Sequence, residues 1–191
     1  MTKIDKSDIF EKVKNIVSLN GIQGMNMRGL AEKMDIAPSV FYHYFKDKDD
    51  LMKQTFDYVS VDLGRKRRLL SDNKPFEKLL EERIIFQLDN ASDVTAILKY
   101  YLHYRTNFLP VPDGYVPKTA YLHIKEILDL GLTRKEIDPI EVDKTAKIMT
   151  HAINGFVLEY YPATLTLAHK KKIARALVLF FMKSLRKEVK I

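Results

Sequence analysis

Four helical segments crowd into the first third of the chain with only tight turns between them, and two of the four are very short. This spacing limits the fold more than any other feature of the sequence. Ile9, Val13, Ile16 and Val17 recur at the helical period, and Asn20-Gly21 closes that segment. Asn26 is placed to cap a short second helix whose inward residues are Met27, Leu30, Ala31 and Met34. Pro38 opens a third short helix that runs to about Phe45. Asp47 caps a fourth, with Asp49 and Asp50 near its positive end.

Longer helices follow. Pro75 begins one that runs to about Leu88, and Ser92 caps another that ends near Leu109. Residues 109–117 hold three prolines and a glycine, an interruption. Pro117 opens the next helix, which stops at Gly131. The Asp138-Pro139-Ile140-Glu141 run carries a cap, a first-position proline and an acid, and starts a helix reaching Tyr161-Pro162. Thr164 or Thr166 starts the last. The expectation is an all-α chain of about nine helices. A three-helix helix-turn-helix domain over residues 1–50 is followed by a helical bundle over 51–191.

Charge and composition narrow the class. The net charge of +7 invites a nucleic-acid reading, but residues 1–50 carry eight basic and eight acidic side chains. From Ala168 onward eight basic residues face Glu188 alone, which accounts for the whole excess. A basic terminal helix is usually a solvated face, so the case for DNA rests on local pattern. The chain has no cysteine, which removes disulfides, thiolate metal sites and a thiol nucleophile. No apolar run approaches the ~20 residues of a membrane span, and the start lacks the apolar stretch of a signal peptide. A cytoplasmic protein without membrane contact is expected. No Gly-x-Ser-x-Gly, glycine-rich phosphate loop, His-Glu-x-x-His or Glu-x-x-His pair is present, so no enzyme, cofactor or metal is expected.

Short helices joined by tight turns form the helix-turn-helix, whose last helix enters the major groove of double-stranded DNA. Within Asn26–Leu51, Leu30-Ala31-Glu32, Ile36, Phe41-Tyr42-His43-Tyr44-Phe45 and Lys46-Asp47-Lys48-Asp49-Asp50-Leu51 closely resemble the TetR family of regulators. Val13, Ile16, Val17 and Gly21 stand where that family has its first helix and turn. Two positions depart from its pattern: Asp35 replaces the usual turn glycine, and Ala37 stands where serine or threonine often caps the reading helix. The residues give the same assignment by themselves. Phe41, Phe45 and Tyr44 form the inward face at the 3.6 spacing, which leaves Pro38, Ser39, Val40, Tyr42 and His43 outward. Tyr42 can donate to a phosphate, and Lys48 adds a positive charge beside exposed amides. His43 suits a base edge or phosphate, Val40 a thymine methyl, and Arg28 a phosphate or the groove.

Beyond residue 52 the resemblance is one of layout, in Gly131 to Asp138 and in Gly155-Phe156. It implies that the last two helices pair with their copies in a homodimer on a palindromic operator, and that a small-molecule effector releases a repressor. Residues 176–182 are apolar around the whole helix, which demands cover on more than one side. Phe156, Tyr160, Leu177, Phe180 and Phe181 are the expected interface residues. Phe86, Tyr100, Tyr104, Phe108, Tyr121, His123 and His151 are candidates to line a pocket for an apolar or amphipathic ligand, with Tyr101 and Tyr115 nearby. The rival readings are an architectural DNA-binding protein without ligand, a helical adaptor and, less favoured, a helical enzyme.

Overall fold

The computed structural model describes residues 5–23, 25–68, 70, 72–106 and 118–186. Among them are nine α-helices and no strand: α1 Lys6–Asn20, α2 Met27–Lys33, α3 Pro38–Tyr44, α4 Lys48–Arg68, α5 Phe76–Asp89, α6 Ala91–Thr106, α7 Lys118–Thr133, α8 Val142–Tyr160 and α9 Leu167–Leu185. Within the described residues no helix is long and apolar enough to cross a membrane. The helices sort into two compact units: α1–α4 with nearly all of α6, and α5 with α7–α9.

In the first unit α1 packs along α4, and α2 packs on α3. Ile9, Val13, Val17, Leu30, Phe41, Phe45, Leu51, Phe56 and Tyr100 share one core. Gly21 ends α1 at φ +77°, a backbone region open to glycine. Ser92 does not cap α6, which begins one residue earlier. It lies in the first turn, where its hydroxyl meets Ser18 Oγ at 3.2 Å. Lys99 Nζ donates to the last carbonyls of α1, Ser18 O at 2.6 Å and Leu19 O at 3.1 Å. Asp93 lies 2.9 Å from Lys14 Nζ and 3.5 Å from Lys66 Nζ, which ties α6 to both α1 and α4. Burial pulls the Lys14 ammonium down, but the bonds to Glu11 and Asp93 outweigh it and raise its pKa.

In the second unit α5 is buried around most of its circumference and packs on α7, α8 and α9. Arg186–Glu77 at 2.9 Å and Lys170–Asp89 at 2.7 Å join its ends to α9. Two sequence expectations shift here. Gly131 does not stop α7. A Cβ there would meet Phe76 Cδ2 at 2.6 Å, so the glycine lets the two helices close on each other. The helix ends at Thr133, and Lys135 at φ +57° closes it, with Glu136 N donating to Gly131 O and Lys135 N to Leu132 O. Asp138 does not cap α8, which begins at Val142. The Asp138 N–H donates instead to Leu185 O at 2.9 Å, which holds that segment against the end of α9.

These glycines separate two effects. Gly131→Ala should cost about 1–3 kcal/mol, because the Phe76 ring is buried and has nowhere to move. Gly64→Ala, in α4 with nothing near the added carbon, should gain up to about 1 kcal/mol. Thermal unfolding measures both, at roughly 2–4 °C per kcal/mol for a chain of this size.

Candidate nucleic-acid interface

Helix α3 has seven residues, and its outward face is the candidate site. A helix so short is marginal alone and must be held by its neighbours. Phe41 and Phe45 do this: both are fully buried, 5.8 Å apart by ring centroid, and Phe10 stands 6.0 Å from Phe45. Tyr44 is half-buried, with Lys6 Nζ over its ring at 5.7 Å.

The turns on either side set where that face points. After α2, Ile36 N donates to Ala31 O at 2.9 Å and Asp35 N to Glu32 O at 3.2 Å, with Asp35 at φ +57°. Aspartate thus takes the left-handed position a glycine would usually fill, as the sequence suggested. Ala37 makes no side-chain cap, and Pro38 presets the first turn instead. After α3, Asp47 accepts from Asp50 N at 2.8 Å while Asp50 accepts from Lys46 N at 2.9 Å. Gln54, then Lys46, hold the Asp50 carboxyl below the usual range through hydrogen bonds.

The anchored helix leaves Pro38, Ser39, Tyr42 and His43 exposed, with Val40 half-buried. Tyr42 has 58% of its surface open, a large value for an aromatic residue in a folded chain. Arg28 is exposed on α2, with Glu32 Oε1 3.4 Å from its Nε, an open pair of little worth that a phosphate can replace. Lys48 is the first residue of α4, half-buried. All seven DNA candidates therefore lie on or beside α3 within the first unit.

The ligand candidates separate. Tyr100 and Tyr104 belong to the core of the first unit. Tyr100 stacks on Phe56 at 4.1 Å, and Tyr104 donates to Asp49 Oδ1 at 2.9 Å, next to Lys48. Burial pushes the Tyr100 phenol up to about 12 and raises Tyr104 as well. Phe86 and His123 are buried in the second unit, Tyr121 is half-buried there with Lys147 Nζ 5.5 Å from its ring, and His151 is exposed. Phe108, Tyr115 and the 109–117 loop lie outside the described residues. Gln87, Thr150 and Asn154, buried polar residues of α5 and α8, are not among the sequence candidates. The available signal was their position on inward helical stripes, Thr150 and Asn154 at i, i+4 beside Met149 and Ile153.

The interface candidates divide too. Leu177 and Phe181 are 6% and 4% exposed, so the chain's own core covers them and they are not surface residues. Phe156 and Tyr160 are half-buried, their rings 6.4 Å apart, while Phe180 is 64% exposed beside Leu179.

Residues 14–55 match the family described as bacterial regulatory proteins, tetR family. The regulator BetI of Paraburkholderia phytofirmans is 27% identical over 82 residues, which cover 41% of this chain. The match spans 42% of that relative's length. Among solved structures, a TetR-family regulator from Rhodococcus sp. superposes with a TM-score of 0.77 at 14% identity, covering 93% of this chain and 98% of its own. The ketosteroid regulator KstR2 of Mycobacterium tuberculosis gives 0.70 at 12%, covering 98% of each. These likenesses show a shared fold.

Two measurements test the geometry at the root of α4. Tyr104→Phe should cost about 1–2 kcal/mol by freeing the Asp49 contact, and a double-mutant cycle with Asp49→Asn should show that the losses are not additive. Burial first, then the Lys48 charge, lowers the His103 pKa, so the folded chain resists its protonation. That stability is present above the unfolded value near 6.5 and is lost as pH falls below it. His103→Gln should therefore flatten the decline in stability between pH 7 and 5.

Proposed function

We propose that the chain is a TetR-family DNA-binding transcriptional regulator, a homodimeric repressor that a small molecule releases from a palindromic operator. The observation that carries the DNA part is the division of α3: Phe41 and Phe45 are sunk in the core while Tyr42 and His43 stand in solvent on the same two turns. A folded domain gains nothing by exposing an aromatic ring beside a fixed turn, whereas a major-groove reader needs that arrangement. Tyr42, Lys48 and Arg28 fix position on phosphates; Pro38, Ser39, Val40 and His43 face base edges. The protein works in the cytoplasm and carries out no reaction.

The second copy docks on the outer strips of α8 and α9. Ile148, His151 and Gly155 recur at three- and four-residue spacing on α8, and Leu179 and Phe180 lie outward on α9, flanked by Lys172 and Lys183. Open space above Gly155 permits close helix approach. His151 is thus better suited to this surface than to a ligand site. The effector site falls to the second unit, among Phe86, Tyr121 and His123, because Tyr100 and Tyr104 are engaged elsewhere.

Lys48→Ala and Tyr42→Phe should weaken binding to operator and random DNA alike, with the lysine change lowering the salt slope by about one unit. A change of sequence preference at constant non-specific affinity would refute the phosphate assignment. Phe180→Asp should give folded monomers by light scattering and circular dichroism and lose cooperative operator binding. A wild-type monomer at micromolar concentration would exclude the dimer.

A further inference from the structure

The helix-turn-helix segment carries no excess of positive charge, although it must meet phosphates. Residues 26–50 hold four basic side chains, Arg28, Lys33, Lys46 and Lys48, against five acidic ones, Glu32, Asp35, Asp47, Asp49 and Asp50. DNA repels every acid near its backbone, so each needs a reason to stand there. Four of the five have one. Asp35 holds the left-handed position of the turn after α2, and Asp47 caps α4. Asp50 accepts from Lys46 N and Gln54 Nε2, and Asp49 accepts from the Tyr104 hydroxyl. Glu32 does none of this: among the described residues its side chain meets Arg28 alone.

The Arg28–Glu32 pair does little for α2 itself. Glu32 Oε1 lies 3.4 Å from Arg28 Nε, with the two side chains 65% and 80% exposed. Exposed pairs of this kind contribute at most about 1 kcal/mol. Here the charges are also placed against the helix. Helix α2 spans Met27–Lys33, so the cation stands in its first turn and the anion in its last, where the helix dipole favours the reverse. A cation four residues ahead of an anion is the weaker order as well. The helix is held by other means: the Asn26 cap on Gly29 N at 2.8 Å, and the burial of Met27, Leu30 and Ala31 in the shared core.

From this we propose that Glu32 limits the DNA affinity of the domain by neutralising Arg28 in the free protein. This deepens the regulator reading and rests on it. A phosphate that takes the guanidinium must either displace the carboxylate or be held beside it. In the first case an ion pair is broken; in the second, two anions share one cation. Both weaken binding to every sequence alike, since phosphate contacts carry no sequence information. The gain lies in the search: random DNA vastly outnumbers any one site, and a reader held less tightly by it is freer to reach the sequence that α3 recognises. Glu32 is thus a positioning residue that acts on DNA through Arg28.

The test measures binding of the full-length protein to a fragment of its own promoter and to random duplex DNA across a salt series. Glu32→Gln should tighten both by about two- to fivefold at low salt. The difference should shrink as salt rises, with a salt slope steeper by up to about one unit. In the Arg28→Ala background the same change should gain less than about half as much, because the pair is already gone. The melting temperature of Glu32→Gln should stay level or rise slightly, since the pair opposes the helix dipole. Unchanged affinity in Glu32→Gln, or a gain of equal size with and without Arg28, overturns the inference. Weaker binding overturns it too: loss on both DNAs would make Glu32 a support that aims Arg28, and loss on the promoter alone would make it a contact to a cytosine amine. These outcomes leave the regulator reading standing. A wild type that binds neither DNA sinks that reading itself.

Discussion

The burial of Phe41 and Phe45 is the contact on which the rest depends. An isolated seven-residue helix has too few internal hydrogen bonds to offset its nucleation, so tertiary contacts must create it. Two phenylalanines four residues apart supply one continuous face, and Phe10 of α1 and Leu51 of α4 close over it. With that face fixed, the opposite side of the helix has a fixed direction too. The flanking turns add precision: Asp35 in the left-handed region at one end, and the reciprocal Asp47 and Asp50 bonds at the other. Loss of both rings would release the helix, because a seven-residue segment cannot hold itself.

Helix α6 extends that constraint. It is bound to α1 by Lys99 and Asp93, to the distal end of α4 through Lys66, and to its first turn through Tyr104. The Tyr100–Phe56 stack lies between these ends. Three helices fastened at both ends behave as a frame, and the reading helix is mounted at one corner of it. Buried ion pairs such as Lys14–Asp93 contribute little net stability, because desolvation offsets most of their attraction. They do penalise every arrangement in which one partner is left alone. What they contribute here is a single register for α6 against α1 and α4.

The reading end of this chain was legible because it is local. Asn26 and Asp47 mark helix starts by accepting from backbone N–H groups three positions on, and Pro38 does so by its fixed φ at the first helical position. The anchor-and-offer split of α3 follows from a period that needs no partner. Where the sequence misled, a distant residue had claimed the group in question. Asp138 looked like a cap, but its N–H belongs to Leu185. Gly131 looked like a stop, but it makes room for Phe76. Tyr100 and Tyr104 looked like pocket residues because tyrosine suits pockets; Phe56 and Asp49, some fifty positions earlier, had already engaged them. Leu177 and Phe181 show the same limit, since an all-round apolar helix does not reveal which side its own chain covers.

Both units hold buried polar groups of two kinds. In the first, Lys14, Asp93 and Ser18 have partners whose bonds fix geometry, while Thr95 Oγ1 is buried without one. In the second, Gln87, Thr150 and Asn154 are buried without them. Each orphaned oxygen costs about 1–3 kcal/mol, and methionine, valine and leucine of similar volume would remove that cost. For a chain with only roughly 5–15 kcal/mol of net stability that is a heavy burden. The cost is not confined to one unit, since Thr95 Oγ1 of α6 carries it too, and in both units the surrounding apolar packing must outweigh it.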